Sequence, residues 1–155
     1  MPPTVSLRPM TADDLDFSCL VYAGTRPDIL ALPWSHAQKQ EFLTMQFRAQ
    51  HLHYTTHYPD AEYLLIERDG EGVGRLFLHR RPDRIHILDI ALLPQVRGTG
   101  LGTKLLEDLI AEAASQNKSV SLYVDKQNTA RRLYQRLAFE PVEEQGFYLL
   151  MLRKA

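Results

Sequence analysis

One segment of the sequence has residue types and spacing suited to binding a phosphate group. Glycines alternate in Gln95-Val96-Arg97-Gly98-Thr99-Gly100-Leu101-Gly102-Thr103, where a predicted strand has ended and a predicted helix begins. The first N–H groups of a helix lack internal acceptors and the helix dipole is positive there, so a helix start binds anions. Glycines allow close approach because they lack a Cβ atom, and Arg97 and Lys104 add positive charge nearby. The segment therefore predicts a phosphate or pyrophosphate site.

Two common phosphate motifs fit this segment poorly. The dinucleotide-binding pattern needs G-x-G-x-x-G, whereas the third glycine here comes one residue early. A Walker A loop needs Gly-Lys-Ser/Thr, whereas Lys104 here follows Thr103. A flexible turn into a core helix, without any ligand, stays open as an alternative.

A second segment, residues 128–139, predicts a short helix with an apolar stripe. The stripe recurs at helical spacing and consists of Ala130, Leu133, Tyr134 and Leu137. From this periodicity alone Tyr134 is a core residue. Asn128 is a suitable N-cap for the helix.

The two segments together resemble the GNAT superfamily of acyl-CoA-dependent N-acetyltransferases. The family signature is Gln or Arg, two residues, Gly, one residue, then Gly or Ala, which Gln95, Gly98 and Gly100 match. Downstream, the run NTARRLY from Asn128 to Tyr134, followed by Leu-Ala-Phe, resembles the family's Asn-x-x-Ala…Leu-Tyr…Gly-Phe segment.

The resemblance covers about residues 60–153, with one departure at Ala138. The family often has Gly there, and Gly is favoured at a helix end because it adopts the left-handed conformation at little cost. The departure concerns the geometry of that turn and leaves the chemistry unaffected.

The resemblance implies an enzyme that transfers an acetyl group from acetyl-CoA to a primary amine, by direct attack in a ternary complex. The lone Cys19 lies in a predicted N-terminal helix without a nucleophile motif, which disfavours a covalent acyl-enzyme. Two alternatives stay open: a non-catalytic acyl-CoA-binding or sensing module on the same fold, and a nucleotide-binding protein that uses the same loop.

The resemblance also assigns the groups that would hold acetyl-CoA. The pyrophosphate is assigned to the loop and first helical turn formed by Arg97, Gly98, Thr99, Gly100, Leu101, Gly102 and Thr103. The backbone around Leu92 is expected to pair with the pantetheine like an added strand, and the Leu92 N–H to polarise the thioester carbonyl. Asn128 is expected to touch CoA.

Three residues are the candidates for proton transfer. Tyr134 matches the family's tyrosine beside the CoA sulfur, where a phenol of pKa ~10 can donate to a thiolate of pKa ~8.5. By the same resemblance the general base lies six residues before Leu92, at His86. An ordinary pKa near ~6.5 would suit that role, although a half-exposed histidine on an alternating strand is the alternative. Asp89, on the opposite face of a regular strand, is the second candidate.

The histidines of the run HLHYTTH invite a metal interpretation. His53 and His57 are four residues apart and would share a helix face if the helix persists that far. No cysteine or acidic cluster accompanies them, so we predict no metal site.

The acceptor amine cannot be read from the sequence. In this family acceptor specificity generally comes from the first two helices, their connection and the last strands. The segment from Tyr22 to Trp34 contains Asp28, which could hold an ammonium group or simply lie in a proline-flanked turn.

Composition and charge limit the other possibilities. The 155 residues, 45% hydrophobic and 24% charged, predict a single domain over 1–155. The net charge of −1 gives no electrostatic case for nucleic acid or an anionic membrane, and no apolar run approaches the ~18 residues of a membrane helix. The start lacks the pattern of a secretory signal. A single cysteine predicts a cytoplasmic setting; the expected partner is a small-molecule or peptide amine, and a homodimer is compatible with it.

Periodicity and turn signals supply the elements that must position these residues. They predict the order β-α-α-β-β-β-α-β-α-β-β, an α/β (α+β) fold with a GNAT-like mixed, largely antiparallel central sheet flanked by helices. Thr11 and the Ser35–Gln38 capping box start the first two helices, with a connection over residues 25–34. The main predicted boundaries are strands at 5–8, 61–68, 73–79, 85–93, 120–124, 139–142 and 147–152 and later helices at 98–116 and 128–137.

Overall fold

The computed structural model describes residues 4–155, and its elements follow the predicted order apart from one additional short helix, Pro27–Leu30. The strands are β1 (Val5–Pro9), β2 (Glu62–Arg68), β3 (Glu71–Arg80), β4 (Arg84–Leu92), β5 (Ser119–Asp125), β6 (Glu140–Gln145) and β7 (Tyr148–Arg153). The helices are α1 (Leu15–Ala23), α2 (Pro27–Leu30), α3 (His36–His57), α4 (Leu101–Ser115) and α5 (Arg131–Arg136). Single 3-10 turns occupy Ala12–Asp14 and Pro94–Val96.

All seven strands belong to one sheet, in the order β1-β2-β3-β4-β5-β7-β6. β1 and β2 pair antiparallel, as do β5 with β7 and β6 with β7, whereas β4 and β5 run parallel. The mixed, largely antiparallel sheet flanked by helices is therefore confirmed. Within residues 4–155, none of the helices has the length and apolar character needed to cross a membrane.

Contacts along the chain define two compact units. The first holds the residues up to Leu76 together with Ile90–Val96, and the second holds Phe77–Asp89 together with Arg97–Ala155. In the first unit, α1, α2 and α3 share a core cluster of Tyr22, Ile29, Leu43 and Phe47. In the second unit, the buried face of α4 packs with β5, and its core residues include Leu105, Leu106, Leu109, Val120, Leu122 and Met151.

The starts of the first two long helices agree with the sequence. Thr11 forms a capping box with Asp14 at the 3-10 turn that precedes α1. Ser35 forms the predicted box with Gln38: its hydroxyl accepts from the Gln38 N–H at 3.2 Å, and its own N–H donates to the Gln38 side chain at 2.9 Å. α3 ends at His57, two residues before Pro59, since proline does not continue a helix.

Several predicted boundaries shift. The connection over residues 25–34 contains one helical turn, α2, which begins at Pro27 because proline fits a first helical position. α4 begins at Leu101 and not at Gly98, since Gly98 and Gly100 have left-handed φ angles of 75° and 84°. α5 begins at Arg131 and not directly after Asn128.

Ala138 ends α5 in the left-handed conformation that the family's glycine would favour. Its φ is 65°. The Phe139 N–H donates to the Tyr134 carbonyl and the Ala138 N–H to the Gln135 carbonyl, both at 3.0 Å. This is the Schellman pattern for a helix end, so the turn geometry is kept despite the missing glycine.

Candidate functional site

The glycine segment forms an open loop in front of α4. Gly100 is the N-cap residue of α4, and no side chain caps this end of the helix. A Cβ atom added at Gly98 or at Gly100 would meet nothing within 4 Å. The glycines therefore leave free space in front of the helix, and their left-handed backbone is a conformation that other residues adopt at a cost.

The first turn of α4 keeps its N–H groups available. The first hydrogen bond of this helix runs from the Lys104 N–H to the Gly100 carbonyl, at 3.0 Å. Within residues 4–155, the N–H groups of Leu101, Gly102 and Thr103 have no acceptor. Three N–H donors at the positive end of a helix of 15 residues, with open space before them, suit an anion.

The two cations of this segment contribute unequally. Arg97 is exposed at the start of the loop. Lys104 forms an ion pair with Asp108 at 3.1 Å along the exposed side of α4, so part of its charge is neutralised. The N–H donors at the start of α4 are therefore the groups of this segment best suited to hold an anion.

Tyr134 is buried in the second unit, with only 8% of its surface exposed. Its ring packs edge-to-face against Phe139, with centroids 5.8 Å apart, which fits the core prediction. Its hydroxyl nevertheless has no hydrogen-bond partner within residues 4–155. Among residues 4–155, Arg131 Nε is the single buried side-chain polar atom without a hydrogen-bond partner. The unpartnered Tyr134 hydroxyl is therefore not fully buried but accessible to solvent.

The surroundings of Tyr134 keep its phenol protonated. Burial, with a smaller contribution from the negative charge of Asp89, raises the pKa of Tyr134 to about 12. Both residues belong to the second unit, and the effect of Asp89 on the Tyr134 pKa places the carboxylate within electrostatic reach of the phenol. Tyr134 is therefore a hydrogen-bond donor at neutral pH.

His86 differs from both sequence-based expectations. It is not half-exposed but 3% exposed, and its Nδ1 lies 2.7 Å from the hydroxyl oxygen of the fully buried Ser121. Burial first, and then the positive charges of Arg81 and Arg84 and the nearby His79, lower the pKa of His86 to about 4. The ordinary pKa near ~6.5 is therefore wrong for this histidine, which is neutral at physiological pH.

Ser121 is a partner of His86 that the sequence did not reveal. The parallel register of β4 and β5 aligns His86 with Ser121, and the His86 ring also meets the half-exposed ring of Tyr123, with centroids 5.5 Å apart. A serine within a strand carries no signal of such a contact. Only strand pairing brings residues 35 positions apart together.

The pairing of β4 with β5 is short. It runs from Arg84 opposite Ser119 to Ile87 opposite Leu122, and both strands continue beyond it. Asp89 lies on β4 two residues after this paired stretch and is half-buried.

Leu92 is the last residue of β4 and belongs to the first unit. A Cβ atom at Gly74 of β3 would lie 2.4 Å from the Ala91 carbonyl oxygen and 2.9 Å from a Leu92 methyl carbon. Gly74 is therefore required for the close approach of β3 to the end of β4. Sequence reasoning missed it, although a glycine inside a strand often marks such an approach.

Asn128 lies on the exposed turn after β5. Its side-chain oxygen accepts from the Ala130 N–H at 2.9 Å, while Ala130 occupies the cap position of α5. The prediction of Asn128 as N-cap is thus wrong by position, yet its side chain still satisfies an N–H group ahead of the helix.

Three further expectations can be compared with the structure. α3 persists through the histidine run, and the rings of His53 and His57 lie 4.3 Å apart; no group of three His, Cys, Asp or Glu side chains able to hold a metal occurs within residues 4–155. Asp28 forms an ion pair with Arg26 at 3.0 Å. The Arg131 side chain is half-buried and donates to the Lys126 carbonyl.

A family model and two curated proteins match this sequence. The model of the acetyltransferase (GNAT) family matches residues 27–139. An uncharacterized N-acetyltransferase of Archaeoglobus fulgidus is 34% identical over 82 residues, which are 46% of this chain and 54% of that protein. The L-2,4-diaminobutyric acid acetyltransferase of Vibrio parahaemolyticus is 31% identical over 80 residues, 49% of this chain and 44% of that protein. The chain thus spans about half the length of the curated relatives it matches.

Solved structures share the fold at low sequence identity. The PaiA N-acetyltransferase from Thermoplasma acidophilum, in complex with coenzyme A, superposes with a TM-score of 0.73 at 18% identity, covering 98% of this chain and 99% of that one. The ribosomal-protein-S18-alanine N-acetyltransferase from Escherichia coli has a TM-score of 0.61 at 20% identity, covering 97% of this chain and 94% of that one.

Proposed function

Because the chain belongs to the acetyltransferase (GNAT) family, we propose that it transfers an acetyl group from acetyl-CoA to a primary amine, by direct attack in a ternary complex. The observation that carries the proposal is the uncapped start of α4, where left-handed glycines leave space and N–H donors for an anion. The structural neighbour PaiA holds coenzyme A, which supports the choice of ligand.

Backbone N–H groups of the chain would bind acetyl-CoA. The N–H groups of Leu101, Gly102 and Thr103 would hold the pyrophosphate, with the loop residues Arg97, Gly98, Thr99 and Gly100 around it. Leu92 would present its N–H to the thioester carbonyl, held in place by the close approach of Gly74. Acetyl-CoA supplies the acetyl thioester, and the chain's own groups orient it.

Tyr134 would stabilise the leaving thiolate by a hydrogen bond and would not transfer its proton fully. Its pKa of about 12 lies above the ~8.5 of an ordinary thiol, so full transfer to a thiolate is unfavourable. A hydrogen bond to the thiolate has no such penalty, and it strengthens as negative charge builds on sulfur. The hydroxyl is available for it because no protein group of residues 4–155 accepts from it.

Asp89 is the better proton acceptor and His86 the better positioning residue. A general base must come within hydrogen-bond reach of the proton that it removes, and His86 is only 3% exposed. His86 is moreover sealed against Ser121. Asp89 is half-buried and acts electrostatically on Tyr134, the residue proposed at the sulfur.

The proposal is tested by binding and turnover on the same preparation. Calorimetry should show one acetyl-CoA site per chain, and release of free thiol should depend on an added amine. The amine panel should include 2,4-diaminobutyrate, because a relative 31% identical over 80 residues acetylates that amino acid by name, along with polyamines and peptides. Acetyl-CoA binding without turnover on any amine would favour the non-catalytic module, and no binding would overturn the proposal.

A further inference from the structure

A small cleft lies along the N-terminal half of α3, beside the residue that precedes the capping box. It has a volume of about 320 Å³, at the small end of the range for ligand sites. Its lining consists of Trp34, Gln38, Glu41, Phe42 and Met45. The four helical residues share one face of α3, because neighbours on a helix face are three or four positions apart.

Two aromatic rings form a corner in this cleft. The Trp34 and Phe42 rings pack edge-to-face, with centroids 5.5 Å apart and an angle of 74° between their planes. Phe42 also packs against the core cluster of the first unit, whereas Trp34 is 39% exposed. The core therefore holds one wall of the cleft in place and leaves part of the indole ring open to a ligand. The face of an aromatic ring attracts a cation, and tryptophan does so most strongly.

Glu41 adds a negative charge to the same cleft. It is exposed, and its carboxylate forms no ion pair with any residue of 4–155. Lys39 is the nearest cation along the sequence, and its Nζ donates to the Leu30 carbonyl at 2.6 Å. A carboxylate without a partner beside two aromatic rings attracts an organic cation through both kinds of group.

The hydrogen-bonding groups of the cleft favour one class of cation. A primary ammonium carries three N–H donors. The Gln38 side-chain oxygen already accepts from the Ser35 N–H at 2.9 Å, and the Met45 thioether is a weak acceptor. A quaternary ammonium carries no N–H donor, so aromatic rings, a thioether and one carboxylate match all of its surface.

We propose that this cleft binds a quaternary ammonium group. The rings of Trp34 and Phe42 and the thioether of Met45 contact its methyl groups, and Glu41 balances its charge. A nitrogen with four carbon substituents cannot accept an acetyl group. The ligand of this cleft is therefore different from the acetyl acceptor, and the inference does not depend on the proposed acetyl transfer.

Intrinsic fluorescence tests the proposal, because Trp34 is the single tryptophan of the sequence. Titration with tetramethylammonium chloride should change the emission along a saturable curve. Sodium chloride at the same concentrations should not do so, nor should tert-butanol, which has a similar shape without the charge. Affinity should decrease from tetramethylammonium through methylammonium to ammonium. A response that does not saturate, an equal response to tert-butanol or the reverse order of affinities would overturn the proposal.

Variants of the lining identify the groups that bind tetramethylammonium. Glu41→Gln keeps the shape of the side chain and removes its charge, so it should weaken binding at least about fivefold. Glu107→Gln is the matched control, since Glu107 is also exposed on a helix but lies outside the cleft, and it should bind like the wild type.

Phe42→Leu should also weaken binding, because it removes one of the two rings. Circular dichroism melts would verify that this variant is folded. Glu41 is exposed, so Glu41→Gln tests the cleft without disturbing the core. Wild-type affinity in Glu41→Gln, or an equal loss in Glu107→Gln, would overturn the proposal.

Discussion

The two longest helices begin in opposite ways. α3 begins with a capping box in which Ser35 and Gln38 satisfy each other's N–H groups, whereas α4 begins at a left-handed Gly100 without any side-chain cap. The first helix start uses its donors for its own stability. The second leaves three N–H donors without acceptors in the described part of the chain, residues 4–155, which costs stability unless a ligand accepts from them. The difference separates a structural helix start from one suited to a ligand.

Two tyrosines repeat this contrast. The Tyr63 hydroxyl lies 2.9 Å from the Tyr54 carbonyl and 2.8 Å from the Tyr58 carbonyl, at the end of α3. The Tyr134 hydroxyl has no such partner within residues 4–155. Groups satisfied by the chain should matter for stability, and groups left available should matter for binding or turnover.

The largest effect is expected at the start of α4. Gly100→Asp should weaken acetyl-CoA binding at least about 100-fold, because a carboxylate would occupy the space and repel the pyrophosphate. Isothermal calorimetry measures it. Gly70→Asp is the matched control, since Gly70 has a left-handed φ of 83° and open space around its Cβ position but lies in the β2–β3 turn. Wild-type affinity in folded Gly100→Asp would contradict the proposed role of this loop.

His86 is a buried side chain whose burial should affect the stability of the protein. Its folded pKa of about 4 lies below the unfolded value of ~6.5, so in between the unfolded state binds a proton that the folded state does not. The free energy of unfolding should therefore fall as pH drops below 6.5, by about 2–3 kcal/mol near pH ~4.5. Urea unfolding above pH ~6.5 and near pH ~4.5 measures this difference in the free energy of unfolding.

His86→Gln is the comparison that isolates this contribution, because carboxyl groups titrate in the same pH range. The variant should lose less stability than the wild type on acidification. It should also leave the pH profile of turnover without any change near 6.5. Equal acid sensitivity of variant and wild type would show that His86 is not held neutral by burial.

Tyr134→Phe and Tyr63→Phe should have opposite consequences. Tyr134→Phe should lower kcat about tenfold with acetyl-CoA affinity and melting temperature nearly unchanged, because only a hydrogen bond to the thiolate is lost. Tyr63→Phe should lower the free energy of unfolding by about 1 kcal/mol and leave kcat unchanged, because it removes the hydrogen bond that links the Tyr63 hydroxyl of β2 to the carbonyls of Tyr54 and Tyr58. Steady-state kinetics and thermal melts distinguish the two variants. A lower melting temperature with normal kcat for Tyr134→Phe would show that Tyr134 has only a packing role.

Ser35→Ala should affect stability alone. The loss of a side-chain cap costs about 1 kcal/mol, and urea unfolding should show it. Acetyl-CoA affinity should stay at the wild-type value, because the Ser35 hydroxyl accepts from the chain's own Gln38 N–H and this helix start is not part of the proposed acetyl-CoA site. A weaker acetyl-CoA affinity of Ser35→Ala would contradict the assignment of α3 as a structural helix start and α4 as a ligand-binding one.

The smallest effect is expected at the end of α5. Ala138→Gly should raise the free energy of unfolding by about 0.5–1 kcal/mol, since the left-handed conformation costs a residue with a Cβ ~1–2 kcal/mol and the greater unfolded freedom of glycine offsets part of that gain. Thermal melts with kcat as a second readout measure it. Destabilisation would mean that the Ala138 methyl group makes contacts worth more than the strain.

Local patterns in the sequence determined the elements and the glycine loop. Capping residues, helical periodicity and turn residues act over a few positions, so they predicted the box at Ser35 and the order of the strands and main helices. The family resemblance rested on such local runs as well, which is why the matching family model covers them. The single domain over residues 1–155 and the roles of the individual site residues stay predictions.

Tertiary structure alone decided the state of the titrating groups. His86 has an ordinary alternating neighbourhood in the sequence, yet pairing of β4 with β5 places it against Ser121 and lowers its pKa to about 4. Likewise only the fold leaves the Tyr134 hydroxyl without an acceptor among residues 4–155 and brings Asp89 within electrostatic reach of it. Burial and charge depend on residues far apart in the chain, and local spacing carries no record of them.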